Sequence, residues 1–416
     1  MKINIEIVYK LIISLFLFFT TIISSIEFTF VSFLVIFLAF LFKPICKFPK
    51  TLVDTILPLV IILLISVTTS IFYLKEAYDF FRDFLYLIKP IMLIFFGYFL
   101  VEKITNKNFL FILIIYLSLL FAIIHLYKVL LFLLDNEFNT NSLRKYCGKD
   151  NFIEMFGLML IIFNKRTQKM NLKIKYLKIT GIIILISFIF YFSRTLFVSI
   201  FILYLGALGF LKITRRGIKY ITIFAVTVLV IYSYLSSIEI DRNKPGLSSF
   251  LYKIKMAPSE IFLPDRNFDI RNHNNLWDHW RAYEASKAFE ELNNTPYKLG
   301  FVFGKGLGSL VDLGFIAPLN KSGLRHISHL HNGYVYIILK AGFLGLIFYF
   351  SFILHLYLQS YKSFKNERVS NYNNLLSGLA VYYLFTTLII TGIYNSSETV
   401  AMILGGIVSL KNYSLN

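Results

Sequence analysis

The chain has few charged residues, very few acids and almost no cysteine. Charged residues make up 16% of the 416 residues, where about 25% is usual in a soluble domain. Two cysteines are too few for a disulfide scaffold. The sequence contains no Walker loop, CxxC or HExxH motif, no internal repeat and no Pro-, Gly- or Ser-rich linker. No nucleotide-binding or zinc-enzyme motif is therefore available to suggest an activity.

Apolar residues, by contrast, make up 57% of the chain, and 45 of them are Phe. They are collected into long blocks, and about 20 mostly apolar residues suffice to cross the hydrocarbon core as a helix. This excludes a soluble enzyme, a disordered chain and a coiled coil, and predicts an all-α polytopic membrane protein. We expect twelve spans: Val8–Ser25, Phe28–Phe42, Leu52–Leu74, Phe84–Val101, Asn108–Leu134, Phe152–Phe163, Tyr176–Phe192, Thr195–Phe210, Ile218–Leu235, Tyr334–Leu358, Leu375–Tyr394 and Glu398–Leu410.

The basic residues support this count. With a cytoplasmic N-terminus, every inside loop has a basic excess, and the loop at 165–178 holds six Lys and Arg and no acid. Treating the short block Phe152–Phe163 as a full crossing keeps that loop inside. The net charge of +19 therefore indicates membrane topology, and nucleic acid is not expected as a partner.

The same topology predicts three regions in a single membrane domain. Residues 1–235 form helices 1–9, residues 236–330 form one large extracytoplasmic loop, and residues 331–416 form helices 10–12. Both termini are predicted in the cytoplasm. Cys46 falls on the inner side and Cys147 on the outer side, so they cannot pair.

Several cations are expected at the outer face, where the preference for basic residues in cytoplasmic loops does not explain their presence. Lys89 lies in the outer half of span four, Arg194 stands at an outer junction, and Arg281 and His331 lie in the large loop or at its exit. Charged groups near membrane depth are costly and indicate function. A set of cations with few matching carboxylates points to an anionic ligand, and Arg suits the oxygens of a phosphate.

Histidines are concentrated in the same region. His326, His329 and His331 follow one another closely, but no Cys or carboxylate stands beside them at the spacing of a zinc site. We therefore expect no metal and no cofactor. A histidine can accept a proton near neutral pH.

Three ordered patches resemble the bacterial superfamily of O-antigen ligases and polymerases. They are Ser193-Arg194-Thr195 before an apolar span, Trp280-Arg281-Ala282-Tyr283-Glu284 with the later Gly304-Lys305-Gly306-Leu307-Gly308, and His331-Asn332-Gly333-Tyr334. The resemblance covers about residues 180–350. The Gly-rich stretch does not have the spacing of a phosphate loop, and we expect a turn.

The resemblance implies a function, a compartment and roles for the residues. Members transfer a glycan from undecaprenyl diphosphate to an acceptor sugar hydroxyl, at the periplasmic face of the bacterial inner membrane. The implied general base is His331, with His329 as the fallback, and the implied diphosphate ligands are Arg194 and Arg281, with Lys89 assisting. Asn332 and Glu284 are both candidates to orient the imidazole.

Three functions remain open. A ligase transfers the glycan to lipid A-core, and we favour it by a small margin. A polymerase uses a second lipid-linked glycan as the acceptor. In a different class, a flippase or transporter would move the lipid-linked glycan without chemistry, but such proteins often have internal repeats, which this sequence lacks.

Overall fold

Helices dominate the structure because lipid offers no hydrogen-bond partner to a backbone, and a helix satisfies its own polar groups. The computed structural model describes residues 5–415 except 24, 42–48, 74–75, 168–171, 173, 242–243, 245, 263–272, 320–322, 363–365, 396 and 398. Cys46, one of the two cysteines considered above, lies outside the described residues. Cys147 is buried.

The described residues form seventeen α-helices, three short 3-10 helices and two strands. In chain order the α-helices are α1 (Ile5–Ile22), α2 (Ile26–Leu41), α3 (Lys50–Tyr73), α4 (Ala77–Glu102), α5 (Phe109–Asp135), α6 (Thr140–Cys147), α7 (Phe152–Thr167), α8 (Leu177–Phe190), α9 (Arg194–Ala207), α10 (Arg215–Ser237), α11 (Ser248–Phe262), α12 (His273–Asp278), α13 (Trp280–Asn293), α14 (Gly300–Phe303), α15 (Gly333–Leu358), α16 (Glu367–Ile390) and α17 (Val400–Leu415). The 3-10 helices are Pro296–Lys298, Gln359–Tyr361 and Gly392–Tyr394.

Each of the twelve predicted spans coincides with a helix. Within the described ranges, six segments are long and apolar enough to cross a membrane: Lys50–Tyr73, Ala77–Glu102, Phe109–Asp135, Arg215–Ser237, Gly333–Tyr361 and Glu367–Ile390. Four apolar helices are shorter: Phe152–Asn164, Leu177–Phe190, Arg194–Ala207 and Val400–Leu415. The chain is therefore an all-α membrane protein in its main architecture, as predicted.

Close helix packing relies on small residues, as is usual between helices in lipid. Helix α4 lies against α17, where a Cβ on Gly97 would stand 2.0 Å from the carbonyl oxygen of Met402. Helix α9 lies against α16, where a Cβ on Gly206 would stand 2.3 Å from the Cα of Gly378. Helix α3 packs on α15 and α5 on α7, completing the main apolar core.

The predicted large loop has more regular structure than the sequence suggested. It contains helices α11 to α14 and a two-stranded antiparallel sheet, β1 (Val311–Ala317) and β2 (Leu324–Ile327). The sheet is a departure from the predicted all-α class. The alternation of buried and exposed residues in β1 accounts for it, because such a strand covers one face of α13.

The Gly-rich stretch is a turn, as expected, and it inserts between α3 and α15. The backbone N–H groups of Lys305 and Gly306 donate to the carbonyls of Leu339 and Lys340, so they are not available to a phosphate. Helix α15 is kinked at Gly342, whose φ is 67°. A Cβ there would stand 2.1 Å from the Val302 carbonyl oxygen, so the kink makes room for the preceding chain.

A buried ion pair joins this turn to the core. The Lys340 ammonium lies 2.6 Å from an Asp83 carboxylate oxygen and also donates to the Ser309 carbonyl at 2.6 Å. The same carboxylate accepts the N–H of Gly308 at 2.8 Å. Because both charges are fully buried, removing one partner would leave an uncompensated charge in the core. The pair thus fixes the first half of α15, and with it the chain segment just before that helix.

Candidate functional site

A cavity of about 800 Å³ lies where the predicted loop meets the apolar helices. Four of the five residues that the sequence singled out line it: Arg194, Arg281, His329 and His331. These side chains come from three different segments, separated by up to 137 positions in the chain (331 − 194). The fold therefore brings together groups that the sequence could only place at the same face.

His331 and Glu284 form the central contact of the cavity. Oε2 of Glu284 lies 2.9 Å from Nδ1 of His331 and also accepts the His331 backbone N–H at 3.1 Å. The side chain of Glu284 is only 2% exposed, whereas that of His331 is 49% exposed. A carboxylate accepts hydrogen bonds, so this contact places the proton of a neutral ring on Nδ1 and leaves the Nε2 lone pair unprotonated.

The backbone around His331 is held from both sides. Asn332 caps helix α15, its side-chain oxygen accepting the N–H of Tyr334 at 3.0 Å. Thr391 donates its N–H to the His331 carbonyl at 2.8 Å and its hydroxyl to the Leu330 carbonyl at 2.7 Å. Of the two residues proposed to orient the imidazole, Glu284 contacts the ring, and Asn332 serves as the helix cap.

The two arginines share one carboxylate. Glu260, in helix α11, lies 3.1 Å from Nη2 of Arg194 and 3.2 Å from Nη1 of Arg281. Burial lowers the pKa of Arg281, but an arginine remains protonated at neutral pH. The two guanidinium groups therefore converge on one point, and that point is occupied by an anionic group of the protein.

Arg194 stands where a cation is normally unfavourable, at the first residue of helix α9. The preceding Ser193 caps this helix by accepting the N–H of Leu196 at 3.3 Å, and its hydroxyl donates to Asp150. The guanidinium also donates to the Lys253 carbonyl. Since the helix terminus does not favour the charge, Glu260 and the Lys253 carbonyl must supply the compensation.

His329 has a different environment from His331. Its ring stacks on Tyr86, with centroids 4.6 Å apart, and meets Tyr336 edge-on at 5.0 Å. Burial lowers the pKa of His329 to about 3, with the positive charges of His331 and Lys340 acting in the same direction. At neutral pH His329 is therefore uncharged and is a weak proton acceptor, which favours His331 as the base.

Lys89 does not line the large cavity. It is buried and lines a separate small cavity beside α1 and α2, and its ammonium donates to the Asn395 carbonyl at 3.1 Å. Asn395 itself lines the large cavity. Lys89 thus reaches the site through the backbone of Asn395.

Some members of the cavity could not be expected from the sequence. Glu260 carries no local signal, because only the packing of α11 against α13 places it beside the arginines. Glu284 follows Arg281 by three positions, which puts both on one helix face, and that spacing was a usable signal. Across the described ranges, no three His, Cys, Asp or Glu side chains are grouped so that they could hold a metal ion.

Comparison with known protein families gives one match. Residues 179–350 match the model of the O-antigen ligase family. No curated protein matches the chain. The matched segment includes Arg194, Arg281 and His331, together with both acids that contact them. Over these residues the chain is similar to the O-antigen ligase family, which supports the resemblance to the superfamily of O-antigen ligases and polymerases.

Proposed function

We propose that the protein is a membrane glycosyltransferase that moves a glycan from undecaprenyl diphosphate to a sugar hydroxyl, most simply as an O-antigen ligase acting on lipid A-core. The observation that carries the proposal is a single cavity that holds a carboxylate-oriented histidine and two convergent arginines. A glycosyl transfer from a lipid diphosphate requires a proton acceptor and a site for a multiply charged leaving group.

In the proposed reaction His331 is the general base. Its Nε2 accepts the proton of the acceptor hydroxyl while the oxygen bonds to the anomeric carbon of the donor. Glu284, held on Nδ1, fixes the ring and stabilises the imidazolium that forms. The burial of Glu284 strengthens this electrostatic effect, since the local dielectric is low.

The leaving group is undecaprenyl diphosphate, released when the bond from the anomeric carbon to the phosphate oxygen breaks. Arg194 and Arg281 bind the diphosphate in this proposal, and they supply the positive charge that a divalent cation would otherwise supply. The guanidinium fork fits phosphate oxygens in a bidentate way. Lys89 assists indirectly, through the Asn395 carbonyl at the cavity wall.

The arrangement in the membrane is also a proposal. Twelve spans, with residues 1–235 and 331–416 in the bilayer of the inner membrane and both termini cytoplasmic, place residues 236–330 and the cavity in the periplasm. The basic excess of the inside loops supports this orientation. The donor is then a lipid within the membrane, and lipid A-core or a second lipid-linked glycan is the acceptor.

The proposal is tested in a deletion strain of the source bacterium, complemented with wild type, His331→Ala or His326→Ala. His326 is a matched control, since it is an exposed histidine in β2 that does not line the cavity. Lipopolysaccharide and the lipid-linked glycan pool are compared on gels. Wild type and His326→Ala should restore the normal pattern, and His331→Ala should not.

The glycan pattern of the deletion strain distinguishes the candidate functions. Long glycans that accumulate on undecaprenyl diphosphate above a bare core identify a ligase. A single repeat on the core identifies a polymerase. A normal pattern in the deletion strain, or full rescue by His331→Ala at normal protein levels, contradicts a transferase and leaves the transporter as the alternative.

A further inference from the structure

One arginine that lines the cavity has no role in the reaction described above. Arg144, in the short helix α6, lines the same cavity as Arg194 and Arg281. Sequence features alone did not single it out, because it lies in a polar connection between two predicted spans. It differs from the other two arginines because, among the described residues, no carboxylate lies within ion-pairing distance of it, although Asp150 is near enough to influence its charge.

The guanidinium of Arg144 is without a side-chain partner in the described part of the chain. Its Nε is buried and makes no hydrogen bond. Burial lowers the pKa of Arg144, a neighbouring carboxylate at Asp150 offsets this in part, and the charge of Arg194 adds to the lowering. A guanidinium that lines a cavity and has no ion-pair partner among the described residues is suited to receive an anion from that cavity.

The acids of the cavity are already engaged elsewhere. Glu260 contacts Arg194 and Arg281, Asp278 accepts the Tyr252 hydroxyl at 2.8 Å, and Asp150 accepts the Ser193 hydroxyl. The positive charge near Arg144 is increased further by Lys145 and Lys149, which line the same cavity. The cavity therefore has a surplus of positive charge at its α6 side.

Helix α6 is fixed relative to the other two arginines. The Thr140 hydroxyl lies 2.5 Å from that of Ser249 in helix α11, and the Lys253 ammonium donates to the side chain of Asn141. Helix α11 also carries Glu260 and the Lys253 carbonyl that contacts Arg194. Side-chain hydrogen bonds thus link α6, which carries Arg144, to α11, whose Glu260 contacts both Arg194 and Arg281.

We infer that Arg144 is a third anion ligand, which binds the second phosphate of a lipid diphosphate whose first phosphate lies at Arg194 and Arg281. The inference rests on the proposed function and deepens it, since it makes the site selective for a diphosphate over a monophosphate. A diphosphate carries more negative charge than a monophosphate, so a further cation beside the arginine pair favours the diphosphate.

Fluorescence of the chain's two tryptophans provides a direct binding assay. Trp277 lines the cavity and Trp280 lies against it, with ring centroids 5.1 Å apart. Purified protein in detergent is titrated with farnesyl diphosphate and, separately, with farnesyl monophosphate. The variants are Arg144→Gln, Arg144→Lys and Lys298→Gln. Lys298 is an exposed residue that does not line the cavity, and its replacement also removes one positive charge.

Arg144→Gln should weaken diphosphate binding by at least about tenfold and monophosphate binding by less than about threefold, the loss expected for one charge-assisted hydrogen bond. Lys298→Gln should match wild type for both lipids. Arg144→Lys should recover part of the affinity, which separates loss of charge from loss of fold. A melting temperature for each variant completes that control.

Two results would overturn the inference. If Arg144→Gln binds the diphosphate with wild-type affinity, Arg144 is not a ligand. If the variant loses the same affinity for both lipids, Arg144 does not distinguish the second phosphate. In either case the proposed role of Arg194 and Arg281 in binding the diphosphate still holds if Arg194→Ala abolishes diphosphate binding. A wild-type protein that binds neither lipid contradicts the proposed function itself.

Discussion

Glu284 and His331 make a two-point contact, in which one buried carboxylate holds both the ring nitrogen Nδ1 at 2.9 Å and the backbone N–H at 3.1 Å. Such a contact fixes the position of the residue and the tautomer of its ring at the same time. Glu284 comes from helix α13, three residues after Arg281. The helix that presents a proposed diphosphate ligand therefore also orients the proposed base.

We expect Glu284→Gln to lower the rate of glycan transfer by about 10- to 10³-fold, because the amide keeps the volume but cannot stabilise an imidazolium. The change should appear in kcat, with little change in KM for either substrate. Rates are measured with purified protein and a lipid-linked glycan donor. Glu290→Gln, on the same helix and outside the cavity, is the control. An unchanged kcat in Glu284→Gln would exclude the orienting role.

Arg194→Lys and Arg281→Lys should be nearly as inactive as the corresponding Ala variants. A lysine keeps the charge but cannot reproduce the two directed N–H groups that bind phosphate oxygens, so a loss of about 2 kcal/mol in transition-state stabilisation is expected. The measurement is kcat/KM for the donor. A fully active Arg194→Lys would indicate a simple charge effect or a structural role.

Glu260→Gln should bind the donor more tightly and turn over more slowly. The carboxylate now occupies the point on which Arg194 and Arg281 converge, so an incoming diphosphate competes with it. Removing its charge should lower KM by about three- to tenfold, and the arginines, less firmly oriented, should support a lower kcat. A higher KM with unchanged kcat would show that Glu260 assists binding.

Stability should depend on pH through His329. Its pKa is about 3 in the folded protein and near 6.5 in an unfolded chain, so between these values the unfolded state binds more protons. The contribution of His329 to the free energy of unfolding is therefore fully present above pH 6.5 and decreases as the pH is lowered toward 3. The melting temperature of wild type should drop between pH 7 and pH 5, and that of His329→Gln should drop less. Equal slopes would contradict the neutral state of His329 in the folded protein.

The helices could be predicted from the sequence because the apolar residues of each helix form one continuous block that is visible in the local composition. All twelve predicted spans contain a helix, and the Gly-rich stretch is the turn that its spacing indicated. The sheet of β1 and β2 and the kink at Gly342 were not predicted, since both depend on the chain against which they pack. Periodicity carries no information about such distant partners.

Only some residues of the candidate site could be predicted from the sequence. They are the charged or titratable residues whose position next to an apolar span costs free energy. Arg194 and His331 stood out for that reason, and both line the cavity. Glu260 and Arg144 lie in polar segments where charge is ordinary, so their selection required the three-dimensional packing of α11 and α6. Lys89 stood out as a buried cation, but it contacts the Asn395 carbonyl and does not line the large cavity.

His331 is proposed to accept the proton of the acceptor hydroxyl in a glycan transfer. The most direct measurement is the transfer rate of purified wild type and His331→Ala, with a lipid-linked glycan donor, a matching acceptor and confirmed folding of both proteins. We expect a loss of about 10²- to 10⁴-fold in His331→Ala, the usual contribution of a general base. Transfer by His331→Ala at a rate close to that of wild type would contradict it.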